Sequence, residues 1–303
     1  MIHSFTVTND LGESLELILA EPEKSGLAIE SVTGLGQVGA DINMTKLAGS
    51  DYYTSNSATL TKRNVVFNIK YFGDDIEVCR HLCDKMFPTK KKISIVAKTD
   101  YRELMLSGFV EKNEPDIFSP TSGCQISILC ADPFWYSLEP TDTPFGGIEP
   151  LFEFPFSSDL SADDTLDTIE FGNIRIIKDK SIYYTGEAEV GITIQVNALG
   201  VVRGLTFYNI DTSEQISIND TLLAQIAGNS IQQGDEIIIS TVKNNKYATL
   251  IRNGVTYNII NALGKTRDWF ELSRGDNLFS YSTTEGEYDT IINIKYREAF
   301  KGI

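Results

Sequence analysis

The residues with the strongest claim to chemistry are a glycine run, two carboxylate pairs and four cysteines. Gly34-Leu-Gly36-Gln-Val-Gly39 has the spacing G-x-G-x-x-G. In a dinucleotide site such glycines let the backbone close on a pyrophosphate, and the N-terminus of a following helix holds the negative charge. The residues that follow here, Ala40 to Ser50, carry no apolar stripe at helical spacing and include Gly49. The run therefore reads as a glycine-rich turn or mobile loop. Gly264-Lys265-Thr266 has the ending of a P-loop, but Ile259 stands where the first glycine must be, so no phosphate cradle can form. Asp163-Asp164 and the pair Glu285/Glu287 are carboxylates of the kind a glycosidase uses. Set in polar loops, they read as solvent-facing. Cys79/Cys83 and Cys124/Cys130 each share a face of one element, and His3 and His81 are the two histidines. His81 points off the cysteine face, so tetrahedral zinc would lack its four donors. The thiols read as small buried apolar groups of a reducing compartment. There is no H-E-x-x-H, no G-x-S-x-G and no convincing triad. The expectation is a protein that is not an enzyme and uses no cofactor and no metal.

Composition sets the frame for these residues. A chain of 303 residues with 42% apolar content suggests two globular domains. Its 42 acidic residues outnumber 26 basic ones, giving a net charge of −16 and a pI near 4.6. That balance argues against wrapping nucleic acid, whose phosphates attract Lys and Arg through counterion release. It would let DNA pass a surface without sticking. No apolar run is long enough to cross a bilayer, and Met1-Ile2-His3-Ser4 lacks the segments of a signal peptide. The expectation is a soluble protein made in a cytoplasm, in which the N-x-T patterns at Asn43 and Asn219 carry no weight.

Hydrophobic periodicity places the elements. Phe5 and Val7, then Leu15, Leu17 and Leu19, alternate about a turn at Asn9-Asp10-Leu11-Gly12, a first hairpin. Leu27 to Val32 reads as a short strand, and Val65, Phe67, Ile69 and Tyr71 alternate strictly. A helix is expected over 75–87: Ile76, Cys79, Leu82, Cys83 and Met86 make one stripe, Asp74 caps it, and Pro88 ends it. Ile93 to Ala97 and Leu104 to Val110 form a hairpin. Cys124, Ile126, Ile128 and Cys130 share one face of a strand, Asp132-Pro133 stops it, and Phe134, Trp135 and Tyr136 form an aromatic plug. The first domain, residues 1–138, is thus a mainly antiparallel sheet with one packed helix. A polar linker follows over 139–150. The second domain, 151–303, starts at a strand over Leu151 to Phe156 and shows short strands at Val190 to Val196, Leu205 to Ile210, Gln215 to Ile218, Glu236 to Val242, Tyr247 to Ile251, Val255 to Ile260 and Thr290 to Tyr296. Asn253-Gly254 is the strongest hairpin signal, since a type I′ turn needs positive φ at both central residues. This spacing of strands means a β-sandwich, and the fold class is mainly β.

The ordered set of motifs resembles the distal tail protein family of long non-contractile-tailed bacteriophages. In the first domain it rests on Ile2-His3-Ser4-Phe5, on Ile29 through Gly36, on Arg63 leading into an alternating strand, and on Cys130-Ala-Asp132-Pro133-Phe134-Trp135-Tyr136. In the second it rests on Gly234-Asp235 before Glu236 to Ile239, on Asn253-Gly254, on Leu272-x-x-Gly275-x-Asn277, and on Ile294 through Ile303. The resemblance covers nearly the whole chain. It implies a homo-hexameric ring, single or stacked, that caps the tail tube, with a C-terminal galectin-like β-sandwich radiating outward to hold tail-tip and receptor-binding proteins. DNA would pass through the lumen unbound, no membrane would be involved, and the site residues would be structural markers. The strand edges and the loop over 40–60 are the candidate ring contacts. Two other readings stand beside it: a carbohydrate-binding sandwich with Trp269-Phe270 as stacking platform, and a glycan-cleaving enzyme using the loop carboxylates.

Overall fold

A computed structural model describes residues 1–73, 75–116, 122–150, 172–176, 178–264 and 267–303. The chain divides into two units, Met1–Glu139 together with Glu298–Ile303, and Pro140–Arg297.

The first unit contains β1 (Ile2–Thr8), β2 (Ser14–Ile18), β3 (Leu27–Thr33), β4 (Ala40–Lys46), β5 (Tyr53–Leu60), β6 (Arg63–Tyr71), α1 (Ile76–Met86), β7 (Lys92–Thr99), β8 (Glu103–Asp116), β9 (Gly123–Cys130) and β10 (Trp135–Ser137). Its main sheet runs β2-β1-β7-β8-β9-β6-β3, with antiparallel neighbours throughout. The period-2 pattern of the sequence is what buries it. Val65, Phe67 and Ile69 on β6, Ile93 and Ile95 on β7, and Cys124, Ile126, Ile128 and Cys130 on β9 all face one core. Helix α1 contributes Cys79, Cys83 and Met86 to the same core. Phe67 lies at its centre, edge-on to Phe5 at 5.3 Å and tilted against Phe87 at 6.4 Å.

The helix starts one residue later than its stripe suggests. Its cap is Asp75, whose carboxylate accepts from the backbone N–H groups of Glu77 and Val78 at 2.9 and 3.4 Å. Asp74, expected as the cap, lies outside the described residues. Ile76 is 47% exposed, because position N1 falls outside the packed face. The stretch 40–60, read as a loop, is instead a hairpin: β4 and β5 pair with each other, separate from the main sheet.

The second unit contains β11 (Thr141–Pro144), β12 (Gly146–Pro150), β13 (Gly172–Ile176), β14 (Asp179–Tyr184), β15 (Val190–Gly191), β16 (Thr193–Ala198), β17 (Thr206–Asn209), β18 (Glu214–Ser217), α2 (Asp220–Ala227), β19 (Glu236–Ser240), β20 (Tyr247–Arg252), β21 (Val255–Asn258), β22 (Glu271–Leu272), β23 (Gly275–Ser282) and β24 (Thr290–Tyr296). Two sheets, β11-β24-β16-β19-β20-β21 and β14-β23-β17-β18, face each other as a sandwich. Ile194, Val196, Ile237, Ile239 and Leu250 bury from one, and Ile182, Phe207, Phe279 and Tyr281 from the other. Aromatic contacts bridge the layers: Tyr184 meets Tyr296 at 5.9 Å and Phe145 meets Tyr281 at 6.0 Å, both edge-on. The strand expected over Leu151 to Phe156 lies outside the described residues. No helix among the described residues is long and apolar enough to cross a membrane.

The polar stretch 139–150, read as a linker, holds two paired strands: β11 against β24, and β12 against β13. The chain also returns at its end. Ala299–Phe300 pairs with β10, and Ser137 and Glu298 exchange hydrogen bonds, Ser137 N–H to the Glu298 carbonyl at 2.9 Å and Glu298 N–H to Ser137 Oγ at 3.1 Å. The second unit is therefore an insertion whose two ends leave the first unit side by side. Replacing residues 140–297 with a two-residue Asn-Gly turn is expected to give a first unit that unfolds cooperatively in denaturant. Residues 1–139 alone should be less stable than that chain by at least about 2 kcal/mol, since they lose the burial of Phe300.

Candidate functional site

Among the described residues the carboxylates read from the sequence are held in separate ion pairs. Glu285 and Glu287 each meet their own cation, Arg203 at 3.4 Å and Lys178 at 2.8 Å. Asp163, Asp164, Lys265 and Thr266 lie outside the described residues. Of the pair weighed as a stacking platform, Phe270 is fully buried in the sandwich and Trp269 is half-buried, with Lys246 Nζ 5.2 Å from its ring. Among the described residues no three His, Cys, Asp or Glu side chains converge on a metal position.

What assembles instead is a buried arginine. Arg63 opens β6 and is 1% exposed. Its Nε donates to the Pro133 carbonyl at 2.7 Å, one terminal nitrogen donates to Gly34 and Gly36 at 2.5 and 2.6 Å, and the other donates to Lys301 at 2.6 Å. The guanidinium lies 5.8 Å from the Trp135 ring. Burial pulls its pKa down and the nearby Asp132 charge pushes it up, but a guanidinium remains protonated throughout. Asp132 shapes the other wall: its carboxylate accepts from Phe134 N–H at 3.1 Å and from the Tyr136 hydroxyl at 2.7 Å. Trp135 is fully buried, and its indole N–H has no acceptor. The motif Asp132, Pro133, Phe134, Trp135 and Tyr136 thus forms one side of the arginine's cage.

The glycine run forms the other side. Gly34 has φ +82°, and a Cβ there would sit 2.0 Å from the Asn64 carbonyl oxygen, so only glycine fits. The spacing that looks like a phosphate loop serves close backbone approach to Arg63. It also roots the β4–β5 hairpin, whose base closes through Thr61 N–H to the Gly39 carbonyl at 3.0 Å.

That hairpin buries nothing of itself, since all residues of both strands are exposed. Its pairing register sorts the side chains. Ala40 faces Leu60, Ile42 faces Ala58, Met44 faces Ser55 and Lys46 faces Tyr53, while Asp41, Asn43 and Thr45 face Thr59, Ser57 and Thr54. One face is therefore largely apolar and the other wholly polar. Such alternation is the mark of a sheet with one buried face, yet Ile42, Met44, Tyr53 and Leu60 are 50%, 55%, 61% and 45% exposed. An isolated two-stranded ribbon is marginal in water.

The second unit repeats the arginine device with a carboxylate. Asp235, 2% exposed, receives Arg252 in a two-pronged pair, Nε to Oδ1 at 2.8 Å and the terminal nitrogen to Oδ2 at 2.5 Å. Arg252 also donates to the carbonyls of Ala227 and Ser230 at 2.7 and 2.8 Å. The markers Gly234, Asp235, Asn253 and Gly254 are brought together by this contact. Asn253 and Gly254 take φ +51° and +77°, as the type I′ turn requires. Gly275 (φ +104°) and Asn277 build a separate corner, where Asn277 accepts from Ser273 N–H at 2.9 Å and donates to the carbonyls of Ser273 and Gly275 at 2.7 and 3.0 Å. Arg252 was invisible to sequence reading, and its one signal was its place directly before Asn-Gly.

No family model matches the chain, and no curated protein matches it in sequence. Solved structures do match. The SPP1 Dit protein, described as a paradigm of the hub adsorption apparatus in phages infecting Gram-positive bacteria, aligns with a TM-score of 0.65 at 13% identity, covering 97% of this chain and 98% of that one. The chain has the fold of a phage distal tail hub protein. Chains of the phage p2 baseplate in its activated conformation also share this distal-tail fold. The strontium form gives a TM-score of 0.54 at 11% identity, covering 97% of both chains. The calcium form gives 0.54 at 12%, covering 97% of this chain and 98% of that one.

Within the fold, Arg63→Ala strands buried carbonyls in a cavity, and chemical denaturation is expected to show a loss of at least about 4 kcal/mol. Trp135→Phe should cost less, about 1–2 kcal/mol, because it also removes an indole N–H that has no acceptor.

Proposed function

We propose that this chain is a structural component of a bacteriophage tail, a distal tail protein whose copies close into a hexameric hub ring. The ring joins the tail tube to the tail tip, and the inserted sandwich, galectin-like in this reading, anchors receptor-binding components. The observation that carries this reading is the likeness to a phage hub protein over 97% of the chain, both units included. The role is one of assembly, without catalysis. The partners are other copies of the chain, the tail tube protein and tail-tip proteins, and the place of action is the virion tail tip after synthesis in a bacterial cytoplasm.

A closed ring needs a heterologous contact, one patch meeting a different patch on the neighbour. The β4–β5 hairpin supplies the first patch: its apolar face has no cover within the hairpin, and a neighbouring first unit in the ring gives it one. The net charge of −16 suits a lumen through which DNA slides without being held. The carbohydrate-binding alternative keeps only half of its aromatic pair, since Phe270 is buried and Trp269 is half-buried.

Mass measurement in solution tests the reading. Particles of six chains of 33.7 kDa each, or twice that for stacked rings, are expected. A folded chain that stays monomeric overturns it. Changing Ile42 and Met44 together to Asp is expected to yield folded monomers with unfolding free energy within about 0.5 kcal/mol of the parent, since both side chains are exposed.

A further inference from the structure

The solvent side of the sandwich's four-stranded sheet is made largely of hydroxyls. On β14 and β23 the residues that alternate with buried Ile182, Phe279 and Tyr281 include Ser181, Tyr183, Ser280 and Ser282. Strand β17 adds Thr206 and Tyr208 on the same side. Among the described strand positions of this side, Asp179 and Asp276 are the charged residues. At the β17–β18 turn the surface dips into a cleft of about 350 Å³, lined by Tyr208, Asn209, Ile210, Ser213, Glu214 and Ser280. That size falls at the lower end of small-ligand sites, about 300 to 1,000 Å³. Its wall is already fixed. Ile210 N–H donates to the Leu278 carbonyl at 2.9 Å, and Leu278 N–H donates to the Asp211 carboxylate at 2.6 Å. Thr212 N–H donates to Asn209 Oδ1 at 3.3 Å, and Thr212 Oγ1 donates to Glu214 at 2.7 Å. A cleft held this way loses little order when a ligand enters.

Tyr208 decides what fits. A strand side chain ordinarily stands off its sheet. Tyr208 lies opposite Ser280, yet its hydroxyl shares a hydrogen bond of 3.3 Å with Ser282, two residues further along β23. The ring is therefore tipped across the neighbouring strand with its phenol end tied down. An anion is disfavoured beside the Glu214 carboxylate, since no cation lines the cleft. A wholly apolar ligand would leave the lining hydroxyls without partners, which costs free energy. A saccharide meets both conditions, with an apolar C–H face for the tyrosine ring and neutral hydroxyls around it. From this arrangement we infer that the cleft binds a short neutral glycan. Tyr208 stacks on the sugar's C–H face, Glu214 accepts from its hydroxyls, and Ser213 and Ser280 donate or accept as the sugar requires. Trp269 does not line this cleft. The inference gives the sandwich a ligand of its own and stands whether or not the chain closes into a ring.

The test is saturation-transfer NMR on the whole chain with neutral tetrasaccharides of glucose, galactose, mannose, rhamnose and N-acetylglucosamine, each beside a sulfated form. Transfer to the C–H protons of at least one neutral member is expected, with its sulfated form bound more weakly. Tyr208→Ala should weaken that binding about tenfold or more, and Tyr208→Phe, which keeps the ring, by no more than about threefold. Tyr288→Ala, at an exposed tyrosine outside the cleft, should leave it unchanged. Circular dichroism checks that each variant folds. Should Tyr208→Ala not fold, Ser280→Gln decides, because it fills the cleft from β23 with Tyr208 intact and should also abolish binding. No transfer to any neutral member from the folded chain, tighter binding of a sulfated form, or full binding by a folded Tyr208→Ala or Ser280→Gln chain would overturn the assignment.

Discussion

The first unit depends on one cation held by backbone. Arg63 is buried with four carbonyls around its guanidinium and a tryptophan ring beside it. Taking a charge out of water costs several kcal/mol. Hydrogen bonds to a charged group contribute about 1.5–3 kcal/mol each, so four of them outweigh that cost. Lysine could not do this, because a flexible ammonium has three donors and no planar fork, whereas the guanidinium reaches in several directions at once. The carbonyls belong to Gly34 and Gly36, to Pro133 and to Lys301, segments remote in sequence. The last two adjoin the pairing of β10 with Ala299–Phe300, and Ile303 N–H bonds to the Leu35 carbonyl at 3.2 Å; the arginine adds one group that reaches all three segments.

This constraint sets the direction of the exposed hairpin. Gly34 and Gly36 lead into β4, and Arg63 itself follows β5, so both limbs of the hairpin start from the same locked point. A ribbon with no core of its own cannot fix its orientation; the buried cation at its base does so. The hairpin thus presents a largely apolar face from a root held by the Arg63 hydrogen bonds. The main sheet has no such need, since α1 closes its core within the same unit.

The sandwich solves a similar problem in another way. Its sheets bury interleaved aliphatic and aromatic side chains, but its turns are held by polar groups: Asp235 with Arg252, and Asn277 with the corner at Gly275. Here the arginine has a carboxylate, because the Asp235 turn places one within reach of its fork. In both units a buried arginine holds backbone carbonyls. The insertion of the sandwich at the Ser137–Glu298 contact leaves the first unit's sheet continuous.

Most of the strands, the main helix and the mainly β class follow from local pattern, because burying one face of a strand or helix writes a period into the apolar residues. The sequence marked the Asn253-Gly254 turn and the Asp132 to Tyr136 stop for the same local reason: backbone conformations there admit few residue types. It misplaced what depends on distance along the chain. The return of residues 298–303 to the first unit and the partners of Arg63 and Arg252 join segments far apart in sequence, and no local pattern encodes such a contact. The hairpin over 40–60 was legible in principle, as Ala40, Ile42 and Met44 alternate with polar residues, but its glycine run drew attention to helix and phosphate. That this alternation forms a ribbon with exposed apolar side chains emerges from the fold, because exposure is a property of what packs against a residue and not of the residue itself.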